Sequence, residues 1–248
     1  DVYKRQPWMA PFLDERGHIV LSIHALVIES ADHTIVVDTC IGNDKPRTYP
    51  KWNLMQGDFL ARFAAAGFTT EQVDTVLCTH MHVDHVGWNT RWVDGRWQPT
   101  FPRAQYLFAE DEWHHWRQEA QEYGPVIEDS VQPIFDAGQA VIVAQQHQVT
   151  DEVSLQPTPG HTPGHVSVRI QSRGEVAIIT GDMIHHPCQI AHPQWSTLAD
   201  TDPRAAAQTR GDFLQRYGDQ PVLVIGTHFA APTACLLYTS DAADDRYR

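Results

Sequence analysis

Apolar residues in this chain come in short runs, and most runs stop abruptly at polar side chains. Residues 18–28 (HIVLSIHALVI) and 34–38 (TIVVD) are two such runs, joined by Ser30-Ala31-Asp32-His33, and predict two strands opening as a hairpin. Within residues 54–66, Leu60, Phe63 and Ala64 share a helical face, and Gly67 ends the pattern, so a helix is expected there. Thr70 then caps a short turn into a strand over 75–79. Further strands are predicted over 104–109, 140–144 and 153–156, with helices over 111–123 and 127–137. A second hairpin spans 166–170 and 176–180, turned by Ser172-Arg173-Gly174. Asp202-Pro203 opens a helix that runs to residue 217, and residues 222–225 form a last buried strand. No internal repeat or low-complexity linker interrupts the series. Strands interleaved with helices predict an α/β fold with two sheets or one large mixed sheet.

The polar residues that close the runs carry the chemistry. Four apolar segments end in metal-competent side chains: VLCTHMHVDH at His80, His82, Asp84 and His85; LQPTPGH at His161; AIITGD at Asp182; and VLVIGTH at His228. Strand ends are rigid, which suits groups that must be held within a small positional tolerance. A lone histidine in such a place is more often a hydrogen-bonded loop residue than a ligand, but HxHxDH crowds three imidazoles and a carboxylate into six positions. Imidazole and carboxylate donors suit a borderline divalent ion such as zinc, and these seven side chains exceed the needs of one tetrahedral ion. Two ions sharing a carboxylate would use them all. Two close cations lower the pKa of a bridging water toward neutrality, and one of them polarises the attacked oxygen as a Lewis acid. No side-chain nucleophile is then required. Consistent with this, the chain has no GxSxG, SxxK, HExxH, Walker loop or GxGxxG.

Composition narrows the partners. The 248 residues carry a formal charge of −13, from 18 Lys plus Arg against 31 Asp plus Glu. That balance disfavours a nucleic-acid surface or an anionic membrane, and favours small neutral or cationic substrates. No apolar run reaches the length of a membrane-spanning helix. DVYKRQ, residues 1–6, can be encoded by a DNA stretch whose reverse complement, read one base in, encodes CLLYTS, residues 235–240. On this match residues 1–6 and 235–248 are expected to be adapter-encoded tails of a metagenomic fragment, and residues 7–234 a single domain truncated at its ends. Of the four cysteines, Cys40, Cys78 and Cys188 then remain, with no paired spacing. Reduced thiols and a cytoplasmic location are the expectation.

HMHVDH followed by GHTPGH, TGD and GTH resembles the metallo-β-lactamase fold superfamily, from about Ile19 to Thr233. The resemblance implies a four-layer αβ/βα sandwich of two mixed sheets flanked by helices, with metals at one edge between the sheets. It assigns His80, His82 and His161 to one ion, Asp84, His85 and His228 to the second, and Asp182 to the bridge. PTPGHTPGH and HVDHVG are most similar to the N-acyl homoserine lactonase and methyl-parathion-hydrolase-like branches. The implied activity is hydrolysis of a small lactone, carboxylic ester or organophosphate. A thioesterase of the glyoxalase II type and a β-lactamase are the enzyme alternatives, and a metal-binding scaffold is the non-enzyme one. Redox di-iron relatives carry glutamate where this chain has His82, which favours hydrolysis. Lactonases carry tyrosine three residues after the bridging aspartate, where this chain has His185. His185 is therefore expected to contact the substrate oxygen, and Asp84 to orient the hydroxide and return a proton to the leaving group. Asp38 corresponds to an aspartate that steadies a ligand imidazole or the metal loop. His165 is expected to support rather than ligate, with Gly160 and Gly164 permitting tight turns around His161. Trp88 is expected either to wall the substrate or to pack in its loop, and His24, His114 and His115 are expected to pack or face solvent.

Overall fold

The computed structural model describes residues 12–119 and 122–238, so residues 1–6 and 239–248 of the expected tails lie outside the described residues. Strands β1 (Leu26–Ser30) and β2 (His33–Val37) pair antiparallel as a hairpin. After α1 (Phe59–Ala65), β3 (Thr75–Leu77) lies parallel to β2. A small separate hairpin follows, β4 (Thr90–Val93) and β5 (Arg96–Pro99). Then come β6 (Gln105–Ala109), α2 (Glu110–Trp116), a π-helical turn Ile127–Val131, α3 (Gln132–Asp136) and β7 (Ala140–Val143). The first sheet has the order β1-β2-β3-β6-β7.

The second half of the chain builds the second sheet from β8 (His147–Gln148), β9 (Val153–Pro157), β10 (Val166–Ser172) and β11 (Glu175–Ile179). After α4 (Cys188–Ala191) and α5 (Pro203–Tyr217), β12 (Val222–Ile225) and β13 (Ala234–Leu236) complete it. Its order is β13-β12-β11-β10-β9-β8, with β11 and β12 parallel and the other neighbours antiparallel. Asp202 caps α5 as expected, its carboxylate accepting the Arg204 and Ala205 amides at 3.0 Å each.

Three apolar clusters make this a four-layer structure. Side chains alternate across a strand, so Ile35, Val37, Leu77 and Leu107 of the first sheet meet Leu155, Val166, Val168 and Ile179 of the second in the central layer. Val36, Val76, Tyr106 and Phe108 point the other way, against Phe63 of α1 and Ile134 of α3. Ile178, Val222 and Val224 meet Phe213 and Tyr217 of α5 on the far side. Strands buried on both faces need apolar residues at consecutive positions, which is why the runs are unbroken rather than alternating. Each such side chain contributes about 1.5–3 kcal/mol when fully buried.

Several elements differ from expectation. Only the end of the run over 18–28 joins the sheet. Leu21 makes an isolated bridge to Phe229 and the Ser22 amide donates to the His228 carbonyl at 3.0 Å, while Ile19 bridges Leu13 and the Val20 amide donates to the Phe12 carbonyl, so residues 18–22 spend backbone groups outside the sheet. The helix over 54–66 begins at Phe59, because Leu54 takes a left-handed turn with φ 51°. The helix over 111–123 ends at Trp116, and that over 127–137 opens with the π-helical turn. The β4–β5 hairpin was not expected; it turns on Asp94-Gly95, both at positive φ (51° and 78°), and pairs Trp92 with Trp97 across the strands. Residues Cys235 and Leu236, assigned to a tail, pair through their backbone with Val224 and Leu223. Any sequence offers those amides, so the pairing does not bear on where the residues come from. Among the described residues no helix is long and apolar enough to cross a membrane.

Candidate metal centre

The ends of β2, β3, β9, β11 and β12 open onto one edge between the two sheets, and the loops there converge. His80, His82, His161 and Asp182 offer donor atoms all within 4.8 Å of one another, and Asp84, His85 and His228 form a second such group. Nε2 of His80 and Nε2 of His161 lie 2.9 and 2.8 Å from Nδ1 of His82. Asp182 stands between the groups. Its Oδ2 is 3.4 Å from His161 Nε2 and 3.1 Å from His228 Nε2, while Oδ1 is 3.2 Å from His85 Nε2. Asp84, partly exposed at the rim, has Oδ2 3.5 Å from His228 Nε2. His185 reaches the same centre, with Nε2 3.2 Å from Asp182 Oδ2 and its ring parallel to that of His228.

The outer nitrogens are tied down, which aims the inner ones. His85 Nδ1 lies 2.8 Å from Asp38 Oδ2, and His161 Nδ1 lies 3.0 Å from Asp200 Oδ1. His228 Nδ1 meets the Ser22 carbonyl at 2.7 Å, which explains why the Ser22 segment leaves the sheet. Thr79 donates its hydroxyl to Asp38 at 2.9 Å and sits 3.1 Å from His80 Nδ1. Such outer partners fix the tautomer and leave the inner lone pair free for a cation. His85 Nε2 is buried with no aligned hydrogen-bond partner, as a ligand atom would be. Asp38 thus serves both groups, holding His85 directly and His80 through Thr79; it also accepts the Thr79 amide at 2.8 Å. His165 does not face the cluster: its Nε2 accepts the Asp182 amide at 2.9 Å, and burial pushes its pKa down to about 3, so it stays neutral.

Electrostatics favours cations here. Burial holds His80 and His82 well below the usual imidazole value, and neighbouring imidazoles add to the effect, so both are neutral donors. Burial opposes ionisation of Asp182, but His228, His85, His185 and His80 around it outweigh that and keep it well below the usual carboxylate range. Burial also disfavours charge on His85 and His228, yet Asp182 and its neighbouring carboxylates raise His85 well above normal and His228 to about 9. The carboxylates therefore draw positive charge to this point, as protons or as divalent ions that displace them. The donor types, the orphaned His85 nitrogen and the tethered outer atoms all fit a divalent metal.

A description of the metallo-beta-lactamase superfamily matches residues 18–228. The chain belongs to that superfamily. Among curated proteins this metallo-beta-lactamase chain is similar to a probable metallo-hydrolase of Mycobacterium tuberculosis, 25% identical over 194 residues, covering 68% of this chain and 58% of that protein. It therefore spans less than two-thirds of that relative. Among solved structures it superposes on the hydrolase AbOPH with TM-score 0.79 at 24% identity, covering 94% of this chain and 81% of the other. AidC, a dizinc quorum-quenching lactonase in complex with a product, superposes with TM-score 0.74 at 21% identity, covering 90% and 77%. At these identities the structural likeness establishes the fold.

Within this metallo-beta-lactamase site, two contributors, Asp200 and Glu112, carry no local signal in the sequence. Asp200 holds His161 and is itself 3.6 Å from Nη1 of the fully buried Arg210. Glu112, 1% exposed, bonds to both histidine-bearing loops. Gly87 closes HVDHVG so tightly that a Cβ there would lie 1.9 Å from the Ile41 backbone. Trp88 packs in the core, stacked on Phe59 at 5.2 Å, rather than walling a pocket. A cavity of about 280 Å³ does open beside His82, walled by Met81, Val83, Trp116, Tyr123, Val126 and Leu198. Asp38→Ala is expected to weaken divalent-metal affinity by about 10–100-fold. Competition with a chelating dye measures it, and unchanged affinity would mean that Asp38 tethers nothing the metal needs.

Proposed function

We propose that this chain hydrolyses a small uncharged ester-like substrate, a lactone, carboxylic ester or organophosphate triester, at a pair of divalent ions, with zinc the ion its donors suit best. His80, His82 and His161 would hold one ion, Asp84, His85 and His228 the other, and Asp182 both. The observation that carries this reading is the convergence of these donors on Asp182, in two groups, with the outer nitrogens of four of the five imidazoles engaged elsewhere. When bound, such a pair supplies Lewis acidity and hydroxide at neutral pH.

The chain's own groups do the rest. Asp84, at the partly exposed rim, orients the attacking water and hands a proton to the leaving oxygen. His185 donates a hydrogen bond to the substrate oxygen; its Nδ1 is buried without a partner, and Nε2 already points at the centre. The cavity beside His82, lined by Met81, Val83, Trp116 and Val126 and also by Glu119 and Glu122, accepts the hydrocarbon part of the substrate against its apolar side chains. The dizinc lactonase AidC supports the same assignment by its likeness. The test is metal analysis with a turnover panel of lactones, aryl esters, phosphotriesters, thioesters and β-lactams. About two equivalents of metal with turnover confined to the first three classes is expected. A closed single site without turnover would sink the proposal.

A further inference from the structure

Glu112 is a carboxylate where none is obvious, 1% exposed on the short helix α2 between a sheet and the metal centre. Four donors surround it. Oε1 accepts the Met81 amide at 2.9 Å and the Trp116 indole N–H at 2.5 Å. Oε2 accepts the Thr162 hydroxyl at 2.7 Å and the Gly164 amide at 3.1 Å. Four donors match the acceptor capacity of an ionised carboxylate and offset part of what burial costs it, burial still leaving its pKa above the usual carboxylate value. Met81 lies between His80 and His82, and Thr162 follows His161 directly. One carboxylate thus bonds to the two loops, one from each half of the chain, whose imidazoles meet where His161 Nε2 lies 2.8 Å from His82 Nδ1. The contact is close on all sides: a Cβ at Gly164 would lie 2.0 Å from the Glu112 amide nitrogen, so no larger residue fits there. Trp116, fixed by the same carboxylate, sets its ring edge-on to His82 at 5.1 Å.

We infer that Glu112 is a positioning residue, a clamp that sets the spacing of His80, His82 and His161 and so tunes the affinity of that ion's site in preference to the other. The inference rests on the proposed assignment of these three histidines to one ion. Asp84, His85 and His228 take their support from Asp38 and Ser22, which Glu112 does not touch. A glutamine at 112 keeps the size but turns an amide NH₂ toward one pair of donors, either Met81 and Trp116 or Thr162 and Gly164. One loop then loses its anchor while the other keeps it.

The test is equilibrium binding of zinc and cobalt(II) to the full chain by dye competition, with cobalt absorption reporting the donor set. Glu112→Gln is expected to bind one ion as tightly as wild type and the other about 10–100-fold more weakly. Backgrounds assign the weak site: with His228→Ala the remaining site should show the loss, and with His82→Ala it should not. Unchanged affinity at both sites, or equal weakening of both, overturns the clamp. If circular dichroism shows Glu112→Gln unfolded, Thr162→Val decides instead. It removes one donor and keeps the carboxylate, so a smaller loss at the same site is expected, and none overturns the inference. A wild-type chain that binds neither ion overturns the metal-centre reading itself, and the clamp with it.

Discussion

Asp182→Ala is expected to lower kcat/KM on the best panel substrate by about 10²–10⁴-fold, the equivalent of about 3–5 kcal/mol of transition-state stabilisation. The size follows from position. Among the described residues, Asp182 is the one carboxylate within 3.7 Å of His80, His85, His161, His185 and His228 at once. Its own backbone is pinned by His165, and Oδ1 also lies 3.1 Å from the Thr227 hydroxyl, so the group is held in place rather than steered by a ligand. Without it, the two donor groups lose their shared anion, and any two cations they would hold repel each other with nothing between them to offset it. Metal content should fall toward one equivalent with the fold intact by circular dichroism. A variant that keeps wild-type kcat/KM would refute the bridging role and the mechanism built on it.

The residues that meet at the candidate centre were legible in the sequence because each follows an apolar strand in the chain, as in VLCTH and VLVIGTH, and strand and polar end are local to one another. The sheets were legible for the same reason: a run buried on both faces, like Ile35 to Val37, leaves few alternatives. What was not legible depends on contacts between distant segments. Asp200 sits in an ordinary polar loop, and nothing nearby signals that it meets His161, 39 residues away. Glu112 reads as one more acid at a helix start, and only the packing of α2 against Gly164 buries it. The β4–β5 hairpin did carry a signal, Asp94-Gly95 flanked by Trp92 and Trp97, but each of its strands is only four residues long, too short for an alternation to stand out. The stretch over 18–28 misled because its periodicity records burial and extension, not which backbone group takes the hydrogen bond.

Asp129→Ala is expected to cost the largest share of stability, about 3–5 kcal/mol, by stranding two buried cations. Arg47 grips the Asp129 carboxylate with both terminal nitrogens, at 2.6 and 2.9 Å, and Lys45 Nζ lies 3.4 Å from Oδ1. All three side chains are buried, and Lys45 also sits 3.7 Å from the centre of the Trp97 ring. This network fastens the loop after β2 to the π-helical turn and the β4–β5 hairpin, while Gly42 of the same loop abuts the Gly87 backbone that closes HVDHVG. The pH dependence separates the two cations. Burial lowers the Lys45 pKa to about 7, with Asp129 opposing it, against about 10.4 for a solvated lysine. Because the folded value is depressed, the unfolded chain binds the extra proton between those limits, and this group's contribution to stability is full above about pH 10.4 and lost as pH falls toward 7. Near and below pH 7 the folded amine carries charge, and there Asp129 shields it. Above that, only Arg47 needs the carboxylate. Denaturant midpoints should therefore show a larger deficit for Asp129→Ala at pH 6 than at pH 9, with the m-value unchanged. An equal deficit at both would mean that Lys45 draws nothing from Asp129, and that Arg47 alone accounts for the loss.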